Sequence, residues 1–290
     1  MLDEVKKKNP GAEIERVISA MFCKVTSINA RTLRPIHEAT GGRDGFVCVQ
    51  TNPKNINDSE KMIQEVMYWQ DAYREELGVD DVNIVYKLPA AKAAVRTAED
   101  LVARGVRICM TLNFSVSQHE IFADIIQKGR KNGFVVLMAG FLDDNVAKEL
   151  EKLGVDNPKQ YAKWAGVAVM RKSYANLNAR RIDKASIMAA AIRGPYTIEC
   201  CLTDKKEAPV YFTTMPAKIE EFDAARPELK SHMNEAIPAD VMAILEKSAI
   251  FNQAYNRDRL DMENVSDFVP LRAVLKVFTD AYVEIGKSLS

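Results

Sequence analysis

The chain has 290 residues, enough for one large α/β domain or two average ones, and its 47% hydrophobic and 28% charged residues are ordinary for a globular protein. Lys plus Arg and Asp plus Glu each number 40, so the balance argues against nucleic acid or a polybasic membrane contact. No apolar run approaches the ~20 residues that span a bilayer, the N-terminus shows no apolar leader core, and the five cysteines form no CxxC pair, so a reducing, cytoplasmic setting is expected.

Residues 13–28 are ambiguous in the pattern. The run MFCKVTSI from Met21 suits a strand, yet Ile14, Val17, Ile18, Met21, Val25 and Ile28 recur at helical spacing, and a helix is preferred. Short apolar runs follow at 45–50 (GFVCVQ), 82–88 (VNIVYKL), 106–112 (VRICMTL), 134–140 (FVVLMAG), 185–191 (ASIMAAA) and 210–214 (VYFTT). Continuous runs of this length fit parallel strands buried on both faces.

Amphipathic segments separate these runs. Ser59 can N-cap a helix presenting Ile63, Val66, Met67 and Tyr73 on one side. Residues 91–104 are Ala-rich and end at Gly105, 117–130 end near Gly133, and 143–153 end at Gly154. Pro158 opens a segment reaching Asn178, and helices are expected at 217–225, 238–251 and 269–288. Six strands alternating with helices predict a parallel α/β fold in one domain, residues 1–290, with 1–44 as a helical lead-in and about 217–290 mainly helical.

His37, His119 and His232 lie too far apart in sequence for a metal-ligand pattern, so no metal or cofactor is expected. His119 reads as a surface or capping residue, and Trp69 and Trp164 as packing residues. Lys87 stands out, because it sits at the C-terminal end of a buried-looking strand, where parallel barrels collect their active sites. A neutral amine there is a nucleophile toward carbonyls, whereas the plain alternative is a strand-end lysine snorkelling to solvent.

The motifs around Lys87 resemble those of the transaldolase family. Lys87-Leu88-Pro89-Ala90 is followed 24 residues after the lysine by Thr111-Leu112-Asn113-Phe114-Ser115-Val116-Ser117-Gln118. In that family a strand-four lysine in K-[IL]-P-A-T forms a Schiff base, and a T-L-x-F-S-x-x-Q motif follows at this spacing. Residues 34–47 (RPIHEATGGRDGFV) are similar to the lead-in to strand three of the longer bacterial members, which places Gln50 on the strand-three Glu and Pro53 on its Pro. Arg193, ending SIMAAAIR, matches an arginine that binds substrate phosphate, and Thr213-Thr214-Met215-Pro216 resembles the strand-eight turn.

The resemblance implies a (β/α)8 TIM barrel whose first two strands have no clear counterpart. Residues 25–29 echo a strand-two motif only faintly, with a helical Asn29 as the alternative, and Asp3 matches the strand-one Asp no better than a surface acid would. Other positions depart from the pattern as well. Gln50 replaces a Glu that positions water, although the smaller fructose-6-phosphate aldolases also carry Gln there. Cys48 replaces a Ser, Cys109 an Asn and Ala191 a Ser. FVVLMAGFLDD stands where the family has S-P-F-x-G-R: matching Gly140 puts Phe141 on the arginine of the phosphate clamp, a shifted register puts it on the family's Phe, and neither supplies an arginine.

The implied activity is transfer of a dihydroxyacetone unit between sugars, of the kind that serves the pentose phosphate pathway and carbohydrate metabolism. Lys87, Thr111 and Gln50 are the expected catalytic residues, and Arg193 and Phe141 the expected substrate-binding ones. The partners implied are small-molecule sugars, with no nucleic acid, no membrane and no cofactor. An open sheet edge further suggests a homo-oligomer. Two alternatives stand beside this reading: an aldolase or transaldolase for a ketose without a terminal phosphate, and a non-catalytic degenerate barrel used for binding or assembly.

Overall fold

The structure, a computed structural model, describes residues 1–204, 206–226 and 229–289. Two helices open the chain, α1 (Leu2–Lys8) and α2 (Ile14–Ala39). The helical reading of residues 13–28 is therefore right, and among the described residues no strand precedes β1 (Val47–Gln50). Asp3 and Asn29 are exposed helical residues, so neither faint match to the missing strands holds.

From β1 the chain alternates. Helix α3 (Ser59–Leu77) leads to β2 (Ile84–Pro89), α4 (Lys92–Ala103) to β3 (Ile108–Asn113), and α5 (Val116–Gln127) to β4 (Gly133–Leu137). Helices α6 (Ala139–Lys152) and α7 (Pro158–Ala179) precede β5 (Ala185–Ala189), and α8 (Pro195–Cys200) precedes β6 (Tyr211–Phe212). The six strands form one parallel sheet in the order β1-β2-β3-β4-β5-β6. Each strand thus lies beside the next in sequence, as repeated βαβ units produce.

All six expected strands are present, with corrected limits. The run 134–140 ends as a strand at Leu137, because Ala139 and Gly140 already begin α6, and 210–214 keeps only Tyr211 and Phe212. The helix expected from residue 143 therefore starts at Ala139. Asp58 rather than Ser59 caps α3, accepting from Lys61 N at 3.0 Å, while Ser59 Oγ donates to Ala93 O at 2.7 Å.

Helix α9 (Pro216–Ala225) is followed by α10 (Ala239–Leu245), α11 (Ala249–Tyr255) and α12 (Val269–Leu289). The single helix expected at 238–251 is two helices, because Ser248 leaves the helical path and its hydroxyl caps α11 through Phe251 N at 3.0 Å. Helix α12 packs against α2, α6, the end of β3 and the turn after β1.

The core lies between the sheet and its helices. Trp69 and Tyr73 of α3 are fully buried against Tyr86 of β2, and Tyr86 donates to Gln70 of α3 at 3.0 Å. Trp164 is partly buried against the same core. Gly45, just before β1, has φ +73°, and a Cβ there would meet His37 N at 2.5 Å, so only glycine lets this turn press onto α2.

The other face of the sheet is concave. Phe134 of β4 touches Phe46, beside β1, at 5.9 Å between ring centroids and Tyr211 of β6 at 5.3 Å. Tyr211 OH also donates to Asp44 Oδ1 at 3.0 Å, joining the last strand to the loop before the first. The result is a half-barrel with an aromatic floor, open between β1 and β6.

Candidate functional site in the concave sheet

Side chains alternate across a strand. Tyr86 points to the helices, so Val85 and Lys87 point into the concavity. The register pairs Gln50 with Lys87 and Lys87 with Cys109, which puts Cys48 and Gln50 of β1, and Cys109 and Thr111 of β3, on the same face. In a curled sheet, inward residues from alternate strands stack in storeys. Carrying the register around gives Cys48, Cys109 and Met188 in one storey, Lys87, Val136 and Thr213 in the next, and Gln50 with Thr111 above them. Observed contacts agree with this order: Arg107 lies over Phe46 at 5.0 Å in the floor.

Lys87 therefore stands between two thiols below and the Gln50–Thr111 pair above. The lysine and Gln50 are half-buried, and Thr111 is fully buried. No hydrogen bond or ion pair holds Lys87 Nζ among the described residues. The Thr111 hydroxyl reaches only the Met138 sulfur, at 3.6 Å, and Gln50 Nε2 reaches Thr51 O at 3.5 Å. Both polar ends make only weak contacts.

The turn after β3 is held firmly. Gln118 is buried, and its Nε2 donates to Ala90 O at 2.7 Å and Leu112 O at 3.3 Å. Its Oε1 accepts from Phe114 N at 2.9 Å and Ser115 Oγ at 3.2 Å. One side chain thus ties the end of the Lys87 strand to the Thr111 strand. Leu112 has φ +56° within β3, a left-handed conformation that is costly for a non-glycine residue, and the β3–β4 register shifts there. The motif carries these residues, but the sequence does not show what they hold.

Cys48 differs from Cys109 in its access. It is open to solvent, although the concave wall surrounds it. The neighbouring Cys109 thiol and then the Lys87 charge hold the Cys48 thiol below its ordinary range, against the effect of burial. The same pairing, with burial, pushes Cys109 well above that range.

Arg193 and Phe141 form a second group. The Arg193 guanidinium lies over the Phe141 ring at 4.8 Å and donates to Asp144 Oδ2 at 2.7 Å. Together with Lys148, Lys163 and Tyr196 it borders a cavity of about 730 Å³ between α6 and α7, which Lys87 does not line. Asp143 is buried there, accepting from Gly166 N at 2.8 Å and Tyr196 OH at 3.2 Å, and burial pushes its carboxyl well above the usual range. The structure thus brings Lys87, Gln50 and Thr111 together, and separately Arg193 and Phe141. Among the described residues, no three of His, Cys, Asp and Glu converge as a metal site requires.

The site is thus a parallel half-barrel with a strand-end lysine on its concave face. The chain belongs to the transaldolase/fructose-6-phosphate aldolase family, matching it over residues 1–287. It is similar to a transaldolase of Mycolicibacterium smegmatis, 24% identical over 266 residues, covering 82% of this chain and 70% of that one. It is 27% identical over 178 residues to transaldolase 1 of Streptomyces avermitilis, covering 57% of this chain and 45% of the relative. A transaldolase of Mycobacterium leprae is 34% identical over 151 residues, covering 48% of this chain and 38% of the relative. The chain thus spans less than half the length of two of these relatives.

Proposed function

We propose that the protein transfers a dihydroxyacetone unit from a ketose to an aldehyde through a Schiff base on Lys87. The observation that carries this reading is the place of Lys87, a strand-end amine on the concave face beside Gln50 and Thr111. Its Nζ adds to the ketose carbonyl, and loss of water gives an iminium that acts as the electron sink. Removal of the C4 hydroxyl proton then breaks the C3–C4 bond. The enamine left on Lys87 attacks the acceptor aldehyde, and hydrolysis releases the product. Gln50 and Thr111 hold the water that carries protons between these steps; Gln50 orients it but does not titrate.

A second reading, a ketose without a terminal phosphate, is favoured by Arg193. Its guanidinium is already paired with Asp144, so a dianion must compete with a carboxylate for it. Open edges at β1 and β6 support self-association as the mode of assembly.

The test is borohydride reduction of the protein with fructose 6-phosphate and with dihydroxyacetone, followed by peptide mapping. An adduct on Lys87, lost in Lys87→Ala, is expected. Better trapping of the neutral ketose would support the second reading. An adduct on another lysine that persists in Lys87→Ala would overturn both.

A further inference from the structure

Imine formation and imine hydrolysis each move a proton at the oxygen that leaves or enters, and a positioned acid–base group speeds such a step by about 10²–10⁴-fold. Around Lys87 the register supplies Val136 and Thr213 beside it, Gln50 and Thr111 above, and Cys48 and Cys109 below. An amide and a hydroxyl do not change charge near neutrality, whereas a thiol does.

The two thiols differ in access. Cys109 is fully buried, whereas Cys48 is open to the bowl that a substrate would enter. Their strands are separated by β2, so their Cα atoms lie roughly 9 Å apart by strand spacing, beyond ordinary disulfide reach. Both are free thiols.

We propose that Cys48 is the proton-transfer group for the imine chemistry at Lys87, an inference that rests on the aldolase reading above. Lys87 Nζ forms a bond to the carbonyl carbon, giving a carbinolamine. The Cys48 S–H gives its proton to the carbinolamine hydroxyl, the C–O bond breaks, and water leaves. The nitrogen lone pair closes the C=N bond, so an iminium and a thiolate face each other as an ion pair. In the reverse sense, water adds to the iminium carbon and the Cys48 thiolate takes the proton.

The titratable groups facing Cys48 are Lys87 from β2 and Cys109 from β3. Their influence favours the thiolate, the form needed to accept the proton during hydrolysis. Farther along the bowl, Tyr211 of β6 is engaged with Asp44.

The experiment measures the rate of borohydride-trapped adduct formation, together with kcat and KM, across neutral pH. Wild type, Cys48→Ser, Cys48→Ala and Cys48→Asp are compared, with fructose 6-phosphate and dihydroxyacetone as donors and circular dichroism confirming the fold. Cys48→Ser and Cys48→Ala should still place the adduct on Lys87. Its formation should slow by about 100-fold or more, as loss of an acid–base group predicts, with KM little changed and the thiol limb gone from the pH profile. Cys48→Asp should restore part of the rate, with the limb moved toward the carboxylate range. Cys48→Ala that keeps both the wild-type rate and the wild-type limb would overturn the proposal and leave the aldolase reading standing. No adduct in wild type with either ketose removes both. If Cys48→Ala does not fold, the near-isosteric Cys48→Ser decides on the same criteria.

Discussion

His119 is not the surface or capping residue its sequence position suggests. It is fully buried on α5, with Nδ1 paired to Ser173 at 2.8 Å and Nε2 without a partner. Burial pushes its imidazole down to about 3. The native state therefore binds fewer protons than the unfolded chain between about pH 3 and the ordinary His value near 6.5. The resulting stability is fully present above that ordinary value and is lost as pH falls below it. His119→Gln keeps a polar partner for Ser173 and removes the titration. Its melting temperature should fall less than that of wild type between neutral and mildly acidic pH. Parallel curves for the two proteins would show that His119 is not the acid-sensitive group. Such burial cannot be seen in sequence, because His119 lies next to a polar glutamine that is itself buried.

Among the elements, α6 shows how closely the second group is fitted. Gly140 lies in its first turn, and a Cβ there would sit 2.0 Å from Ala191 O and 2.9 Å from Arg193 Cγ. The loop after β5 thus lies directly on the α6 backbone, and Ala191 itself adopts φ +57°. Gly140→Ala should cost about 1–3 kcal/mol, as overpacking does, and should shift the Arg193 loop. Denaturant unfolding measures the loss; unchanged stability would mean that the loop yields freely. The six strands were legible as short apolar runs, continuous in β2 to β4 because those strands are buried on both faces. The start of α6 was not, because MAGF reads equally as strand and helix. Within the site, Lys87, Thr111 and Gln50 could be picked out by motif. The placing of Cys48 and Cys109 on one face and the Arg193–Asp144 pair could not, since both depend on register and on residues far apart in sequence.

For the whole molecule, the open side of the half-barrel is the distinctive feature. The Tyr211–Asp44 hydrogen bond joins the edge strand β6 to the loop preceding edge strand β1, and Phe134 fills the space behind it. Tyr211→Phe keeps the ring and removes the bond. A hydrogen bond to a charged group contributes ~1.5–3 kcal/mol when buried, and Tyr211 is only partly buried, so a loss of about 1 kcal/mol is expected. Amide hydrogens of β1 and β6 should exchange faster in the variant, while those of β3 should not. Uniform change across the sheet would mean that the bond does not govern the edges.

The packing of α12 on α2 has a further consequence, for the order in which the chain can mature. Each strand from β1 to β6 settles beside the one made just before it, so the sheet can grow as it leaves the ribosome. Helix α2 cannot finish in that way. Ile14 and Ile18 lie within reach of Gly286, at 3.6 Å from where a Cβ on that glycine would be. Gly286 is synthesised more than 260 residues after Ile18. The strip of α2 at Ile14 and Ile18 that faces α12 therefore waits, uncovered, through most of translation, although α3 and β1 cover its adjoining side much earlier. Such transiently exposed surface is where nascent chains aggregate or recruit chaperones, and here it is one strip of the first long helix made that stays exposed until nearly the end.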